Sequence, residues 1–234
     1  MSLLTISQSI LRETKAGSVP TAIIGNTEDV AKQILEVMTV SIIELARSYN
    51  WQELQKEKTF NTVVSQVGYI LPEDFDRFIN GTFWNTTTQH PVAMPVTPEE
   101  WRILNNQGIT GGTGFSYSRI RAGRVLLFPT PAAIEAHIYE YISNHVILSS
   151  SGTGQTEWLA DTDVPAIDAH IVRLDATWRW LKNQGRPYAE EQKIANSAVA
   201  ERARINGARR TIRHHSSSDE YNFKVSYPTL IVGS

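Results

Sequence analysis

The stretch from Val164 to Arg213 constrains the fold most, because it holds two helical patterns joined by a connection short enough to force a return. In its first half, Ile167, Ile171, Leu174, Trp178 and Leu181 are spaced alternately by four and three residues, which places them on one helical stripe. Asp161 or Asp163 is positioned to cap this helix, and Pro165 suits a first turn, where a missing N–H costs nothing. Gly185 is expected to end it, since glycine enters the left-handed conformation cheaply. Pro187 then opens a second helix through about residue 206, with Ile194, Ala198 and Ile205 facing the first. Two helices so joined lie nearly antiparallel. The pair is a scaffold without chemistry of its own.

The first part of the chain supplies what packs on that scaffold. Residues 3–14 form a short helix using Leu3 or Leu4, Ile6, Ile10 and Leu11, and a loop follows from Gly17 to Gly25. Asn26 is placed to cap a long helix that runs to about Asn50, with Glu28 and Asp29 against the positive end of its dipole. Val30, Ile34, Val37, Met38, Ile42, Leu45 and Tyr49 give it the strongest apolar stripe in the first half. Trp51, just beyond, reads as a core aromatic closing a helix–strand corner.

From Lys58 the period changes to alternation. Phe60 to Val64 and Gly68 to Pro72 read as extended pieces, and LPEDFDRFI (71–79) as a turn followed by one helical turn. Thr82 to Thr88 and Val92 to Val96 read as strands around a Gln89-His90-Pro91 turn. Thr97, Pro98 and Glu100 form a helix start with a reciprocal cap, and the helix ends before Gly108. The clearest hairpin is Tyr117–Arg121, Ala122-Gly123, Arg124–Phe128, followed by a third strand from Ile134 to Leu148. The fold expected is α+β: an antiparallel helical bundle (1–55 and 157–213) with an inserted β-rich domain (56–156) and an extended C-terminal arm (214–234).

Candidate chemistry is sparse. The chain has no cysteine, which excludes disulfides, thiolate metal sites and cysteine nucleophiles. GITGGTG (108–114) lacks the Gly-Lys-Ser/Thr of a phosphate loop and reads as a mobile surface loop. His214-His215 has no third metal ligand near it in sequence. The pairs Glu99-Glu100, Asp161 with Asp163, and Glu190-Glu191 all fall at helix starts, where capping explains them without acid–base catalysis. No Gly-x-Ser-x-Gly occurs. Neither an enzyme nor a cofactor is expected.

The one basic cluster is Arg202, Arg204, Arg209, Arg210 and Arg213. Its default reading is a solvated helix end, and its functional alternative is a docking surface for an acidic partner or a nucleic-acid backbone. A net charge of −2 points to no strongly polyanionic partner for the chain as a whole. Residues 1–17 lack the features of a signal peptide, and no apolar window is long enough to span a membrane.

The order of pieces resembles a phage family. The long helix ending ELARSYNWQELQKEKTF, then LPEDFDRFI, PVTPEEW, RIRAGRVLLFPTP, IYEYIS and DTDVPAIDAHIVRLDATWRWLKNQGRPYAEE resemble the head-to-tail adaptors of short-tailed phages, also called tail tubular protein A or gatekeeper-like connectors. The resemblance covers about residues 20 to 205, and each of its motifs is structural. It implies a homo-dodecameric ring docked on the portal protein, contacting neighbouring adaptor subunits, extending the DNA channel and offering a platform to the tail nozzle or tail tube. Genomic DNA would pass through without sequence-specific binding. It also implies residence in the virion at the head–tail junction after synthesis in the host cytoplasm. A non-catalytic binding module that uses the basic helix end on nucleic acid is the competing reading.

The arm carries the partner-binding expectation. Tyr221, Phe223, Val225 and Tyr227 alternate with polar residues, and Leu230 and Ile231 follow, so the segment has a face to bury that it cannot bury alone. Together with Arg209, Arg210 and Arg213, these residues are expected to meet the portal or an adjacent subunit.

Overall fold

The structure, a computed structural model, describes residues 1–93, 96–106 and 116–207. In chain order its elements are α1 (Leu3–Glu13), α2 (Asp29–Ser48), a 3-10 turn (Gln52–Leu54), β1 (Gln55–Asn61), β2 (Gly68–Ile70), β3 (Phe75–Phe78), β4 (Trp84–Asn85) and β5 (His90–Ala93). Then come α3 (Pro98–Asn106), β6 (Ser116–Arg121), β7 (Arg124–Phe128), β8 (Ala136–Ser143), β9 (Ile147–Leu148), β10 (Gly154–Gln155), β11 (Val164–Pro165), α4 (Ala169–Asn183) and α5 (Ala189–Ile205). The architecture is mixed α+β. The glycine-rich segment 108–114 and the arm from His214 lie outside the described residues.

Helix α4 is the hub of the helices, since α1, α2 and α5 all pack on it. It starts later than its sequence pattern indicates. Val164 and Pro165 are extended and pair with Leu148 and Ile147, and Ala166 donates its N–H to Val146 O at 2.9 Å. Asp168 is the cap, its carboxylate accepting from His170 N at 2.8 Å. The expected caps do other work. Asp161 and Asp163 offer their backbone carbonyls to the first amides of α1, Leu4 N (3.2 Å) and Leu3 N (2.7 Å), donors a helix start would otherwise leave unpaired. Their carboxylates accept from Ile23 and Ile24, and from Leu159 and Ala160. Gly185 ends α4 as expected, at φ +65°, with Gly185 N bonded to Lys182 O and Arg186 N to Leu181 O. That pair of bonds is a Schellman motif.

The single stripe read for α4 is incomplete, because a helix packed on three sides is apolar on more than one. Ile171, Val172, Ala176 and Trp180 face the shared core. Trp178 is buried at its margin instead, donating to Asp175 Oδ1 at 2.9 Å and lying 6.1 Å from the Tyr188 ring. Asp175 also accepts from Ser41 of α2 at 2.7 Å and from Arg179 at 2.7 Å, so a buried carboxylate joins α2 to α4 with its partners supplied. On α5 the facing residues are Ala195, Val199 and Ala203, spaced by four, with Ala198 half-buried beside them. Ile194 and Ile205, expected there, are 50% and 65% exposed. Small side chains let the helices approach closely, and the two isoleucines fall outside that line.

Helix α2 keeps its stripe: Ile34, Val37, Met38, Ile42 and Leu45 are buried. Its N-cap is Glu28, and Asn26 holds the preceding turn by accepting from Glu28 N at 2.9 Å. Trp51 closes the corner as expected, 1% exposed, with Nε1 donating to Leu45 O at 2.7 Å.

The larger sheet runs β1-β8-β4-β5-β6-β7-β2, with β3 also on β8; β10-β9-β11 forms a smaller one. Its pairs are antiparallel except β5–β6, the two strands on either side of α3 in sequence. Phe60 of β1 and Tyr69 of β2 belong to opposite ends of the strand order, yet their rings are 4.9 Å apart. The sheet therefore curls on itself.

Several strand boundaries differ from the sequence reading. Residues 75–78, expected as a helical turn, form β3, because pairing with β8 outweighs the local pattern. His90 and Pro91 lie inside β5, and the turn falls earlier, where Asn85 Oδ1 accepts from Thr87 N and Thr88 N and Gln89 takes φ +57°. The third strand is broken at Asn144 into β8 and β9. Two expectations hold closely. Thr97 and Glu100 make the reciprocal cap of α3, with Thr97 N bonded to Glu100 Oε2 (2.6 Å) and Glu100 N to Thr97 Oγ1 (3.2 Å). The β6–β7 hairpin turns through Ala122 (φ +49°) and Gly123 (φ +70°), the two positive values a tight hairpin turn requires.

Candidate docking site

The joint between helices and sheet is polar and well bonded. Arg77 of β3 reaches the C-terminal end of α2, donating through Nη2 to Ala46 O (3.1 Å) and Tyr49 O (2.9 Å) and through Nε to Asn50 Oδ1 (3.2 Å). A guanidinium there meets both the unpaired last carbonyls and the negative end of the helix dipole. Beside it, Asp74 accepts from Lys56 Nζ (2.6 Å), Ser143 Oγ (2.8 Å) and Tyr141 OH (2.9 Å). Burial alone would raise the Asp74 pKa, but the bonds from Lys56, Ser143 and Tyr141 and the lysine charge prevail and hold it at about 2. Burial and the Asp74 bond push the Tyr141 hydroxyl up to about 12. His137, buried and stacked on Phe60 at 5.4 Å, has its pKa lowered by burial. These are packed structural groups, each with a partner that explains it.

The sequence-derived partner residues Arg209, Arg210, Arg213, Tyr221, Phe223, Val225, Tyr227, Leu230 and Ile231 all lie outside the described residues. Of the basic cluster, Arg202 and Arg204 are described. Arg202 is committed internally: Nη2 lies 3.3 Å from Glu53 Oε1 and Nε 3.4 Å from Asp168 Oδ2. Asn206 also bonds to Glu53, so the end of α5 is pinned to the 3-10 turn ahead of β1. Arg204 is exposed. Thus Arg202 does not belong to a free basic surface.

A second basic surface was not read from the sequence. Strand alternation puts Arg119 and Arg121 on one face of β6, and the register sets Arg124 directly opposite Arg121. None of the three has a carboxylate partner among the described residues. The register continues from Arg124 to Ile70 on β2, which is 74% exposed. Gly68 makes room for this face, because a Cβ there would meet Leu126 Cδ2 at 3.1 Å and Arg124 Cδ at 3.6 Å. The signal was present: between Trp101 and Ile134 the only charged residues are four arginines. Three of the four, Arg119, Arg121 and Arg124, lie on strands, where each taken singly reads as an ordinary solvated residue.

Among the described residues, no helix is long and apolar enough to cross a membrane, and no group of three or more His, Cys, Asp or Glu residues is placed to hold a metal ion. The described surface includes a charged hairpin and a helix end pinned to the 3-10 turn. No curated protein matches the chain. The family model described as SU10 adaptor protein matches residues 1–222, nearly the full length. The chain belongs to the SU10 adaptor protein family, the structural adaptors of phage particles.

Proposed function

We propose that the protein is the head-to-tail adaptor of a short-tailed phage. It forms a twelve-subunit ring docked on the portal, prolongs the DNA channel and presents a platform to the tail nozzle or tail tube. The observation that carries this reading is the family match across residues 1–222, which takes in the helices, the sheet and the start of the alternating segment. Ring formation needs side-to-side contacts between unlike faces that close on themselves. In this reading the helices of 1–55 and 157–213 form one domain, 56–156 an inserted domain, and 214–234 an arm. Arg209, Arg210, Arg213, Tyr221, Phe223, Val225, Tyr227, Leu230 and Ile231 bind the portal or the next subunit. The role is mechanical, with no bond made or broken, and the protein resides at the head–tail junction after synthesis in the host cytoplasm. DNA passes without sequence-specific contact.

Averaged electron micrographs and native mass spectrometry of the protein mixed with its portal test the reading. A twelve-fold ring seated on the portal is expected. A monomer or a two-fold dimer, with no portal complex, overturns it.

A further inference from the structure

Two like-charged pairs of opposite sign sit on the outside of the curled sheet. The register sets Glu57 of β1 directly opposite Glu140 of β8, as it sets Arg121 directly opposite Arg124. None of the four has an ion-pair partner among the described residues. Side chains so placed start about 5 Å apart, and like charges there are destabilising until opposite charge lies against them. Both pairs face away from the aromatic core. Phe60, Tyr139, Val125 and Leu127 take the inner side, so alternation turns Glu57, Glu140 and Arg124 outward and leaves Lys56 and Lys58 on the inner side of β1. Glu57, Arg121 and Arg124 are exposed and Glu140 is half-buried.

Each pair has an exposed apolar side chain one strand beyond it. Ile70 on β2 follows Arg124 in the register, and Trp84 on β4 lies past β8, opposite Ile138, which shares the outer side with Glu140. The Trp84 indole N–H donates to Gly81 O at 3.2 Å, which fixes the ring at the surface. An exposed tryptophan held in place beside carboxylates suits an arginine-bearing partner, because guanidiniums pair with the one and stack on the other.

The two surfaces belong to different walls. Four strand steps separate β8 from β7 along the strand order, and three across the closure that Phe60 and Tyr69 make between β1 and β2. Their outer sides therefore point away from each other, and complementary surfaces so placed join one copy to the next in a head-to-tail row.

Resting on the ring reading above, we infer that the β6–β7 hairpin of one copy docks on the outer face of β1, β8 and β4 of the adjacent copy, with Arg121 and Arg124 on Glu57 and Glu140 and Ile70 against Trp84.

Charge reversal tests the contact. Whole chains carrying Arg121→Glu with Arg124→Glu, or Glu57→Arg with Glu140→Arg, are incubated with the portal singly and as an equal mixture, after melting curves show that each is folded. Either variant alone should give at least about ten times fewer portal-bound rings than the unaltered chain, because every joint then sets like charge against like. The mixture should recover most of them, since alternating copies again meet opposite charge at each joint. No loss in either variant overturns the inference. Loss without recovery in the mixture assigns the charges to the portal or to DNA and overturns it too.

The absence of cysteine supplies a second measurement on chains that keep all six invoked residues. Ala122→Cys chains mixed with Thr59→Cys chains, in the presence of portal and a short bis-maleimide, should give at least about ten times more mixed dimer than Ala122→Cys with Ser151→Cys, an exposed control. No excess over the control overturns the inference. A portal-bound ring without this cross-link leaves the function standing and removes the contact; the cross-link without a ring does the reverse.

Discussion

The core gathered around α4 and the core inside the curled sheet differ in size and in material. Among the described residues, the first takes 25 buried side chains, mostly aliphatic, from α1, α2, α4, α5, the end of β8 and the turns and loops beside them, with Trp51 and Trp180 among its largest members. The second has eight, of which Tyr69, Phe83, Tyr139 and Tyr141 are aromatic. Aliphatic side chains fill space between helices over a long seam. Rings fill a curled sheet with few residues, but each then carries a larger share of the burial. The smaller core bounds the hairpin that offers surface for docking. Regions with less buried apolar area open first, so the two parts should differ in local stability.

Replacing Trp180 should show the largest effect. Trp180→Ala removes a side chain 2% exposed at the centre of the helical seam and should cost about 3–5 kcal/mol. Trp178→Ala, at the margin, should cost less. Melting curves of the two variants check the order, and a larger loss for Trp178→Ala would place the centre of the layer elsewhere.

Phe83→Ala comes next, at about 3 kcal/mol, but confined to the sheet. Its ring lies within 6.2 Å of Phe60, Phe78, Tyr139 and His137. Amide exchange should rise across β6, β7 and β8 while α2 and α4 keep their protection. Equal loss in both regions would mean that they unfold as one unit.

The joint between the cores should respond to acid. The Asp74 pKa of about 2 lies below its ordinary value of 3.8, so the carboxylate's contribution is present above about pH 4 and is lost as pH falls toward 2. In urea titrations, Asp74→Asn should be the less stable protein at pH 7, with the gap closing between pH 4 and 2. A gap that persists at pH 2 would remove ionisation as its cause. The smallest effect belongs to Thr97→Ala, which should cost about 1 kcal/mol by leaving Glu100 N without its partner. The loss should be felt in α3 alone, as increased amide exchange over Pro98–Asn106.

Local chemistry explains which features were legible in the sequence. The α2 stripe, the Gly185 stop, the Thr97–Glu100 cap, the Ala122-Gly123 turn and the burial of Trp51 each depend on residues close in the chain, where spacing alone carries the information. The order of those pieces sufficed to mark a phage adaptor. Partners distant in the chain decided the rest. Asp161 and Asp163 look like caps for α4 until α1 arrives to use their carbonyls. FDRF (75–78) becomes a strand because β8 offers it a ladder and Arg77 can reach α2. The faces of α4 and α5 were settled by how closely α1, α2 and α5 approach, which no single period encodes. The arginine face at Ile70 exists only once β6, β7 and β2 lie side by side, since alternation says which residues share a side and only pairing says whose.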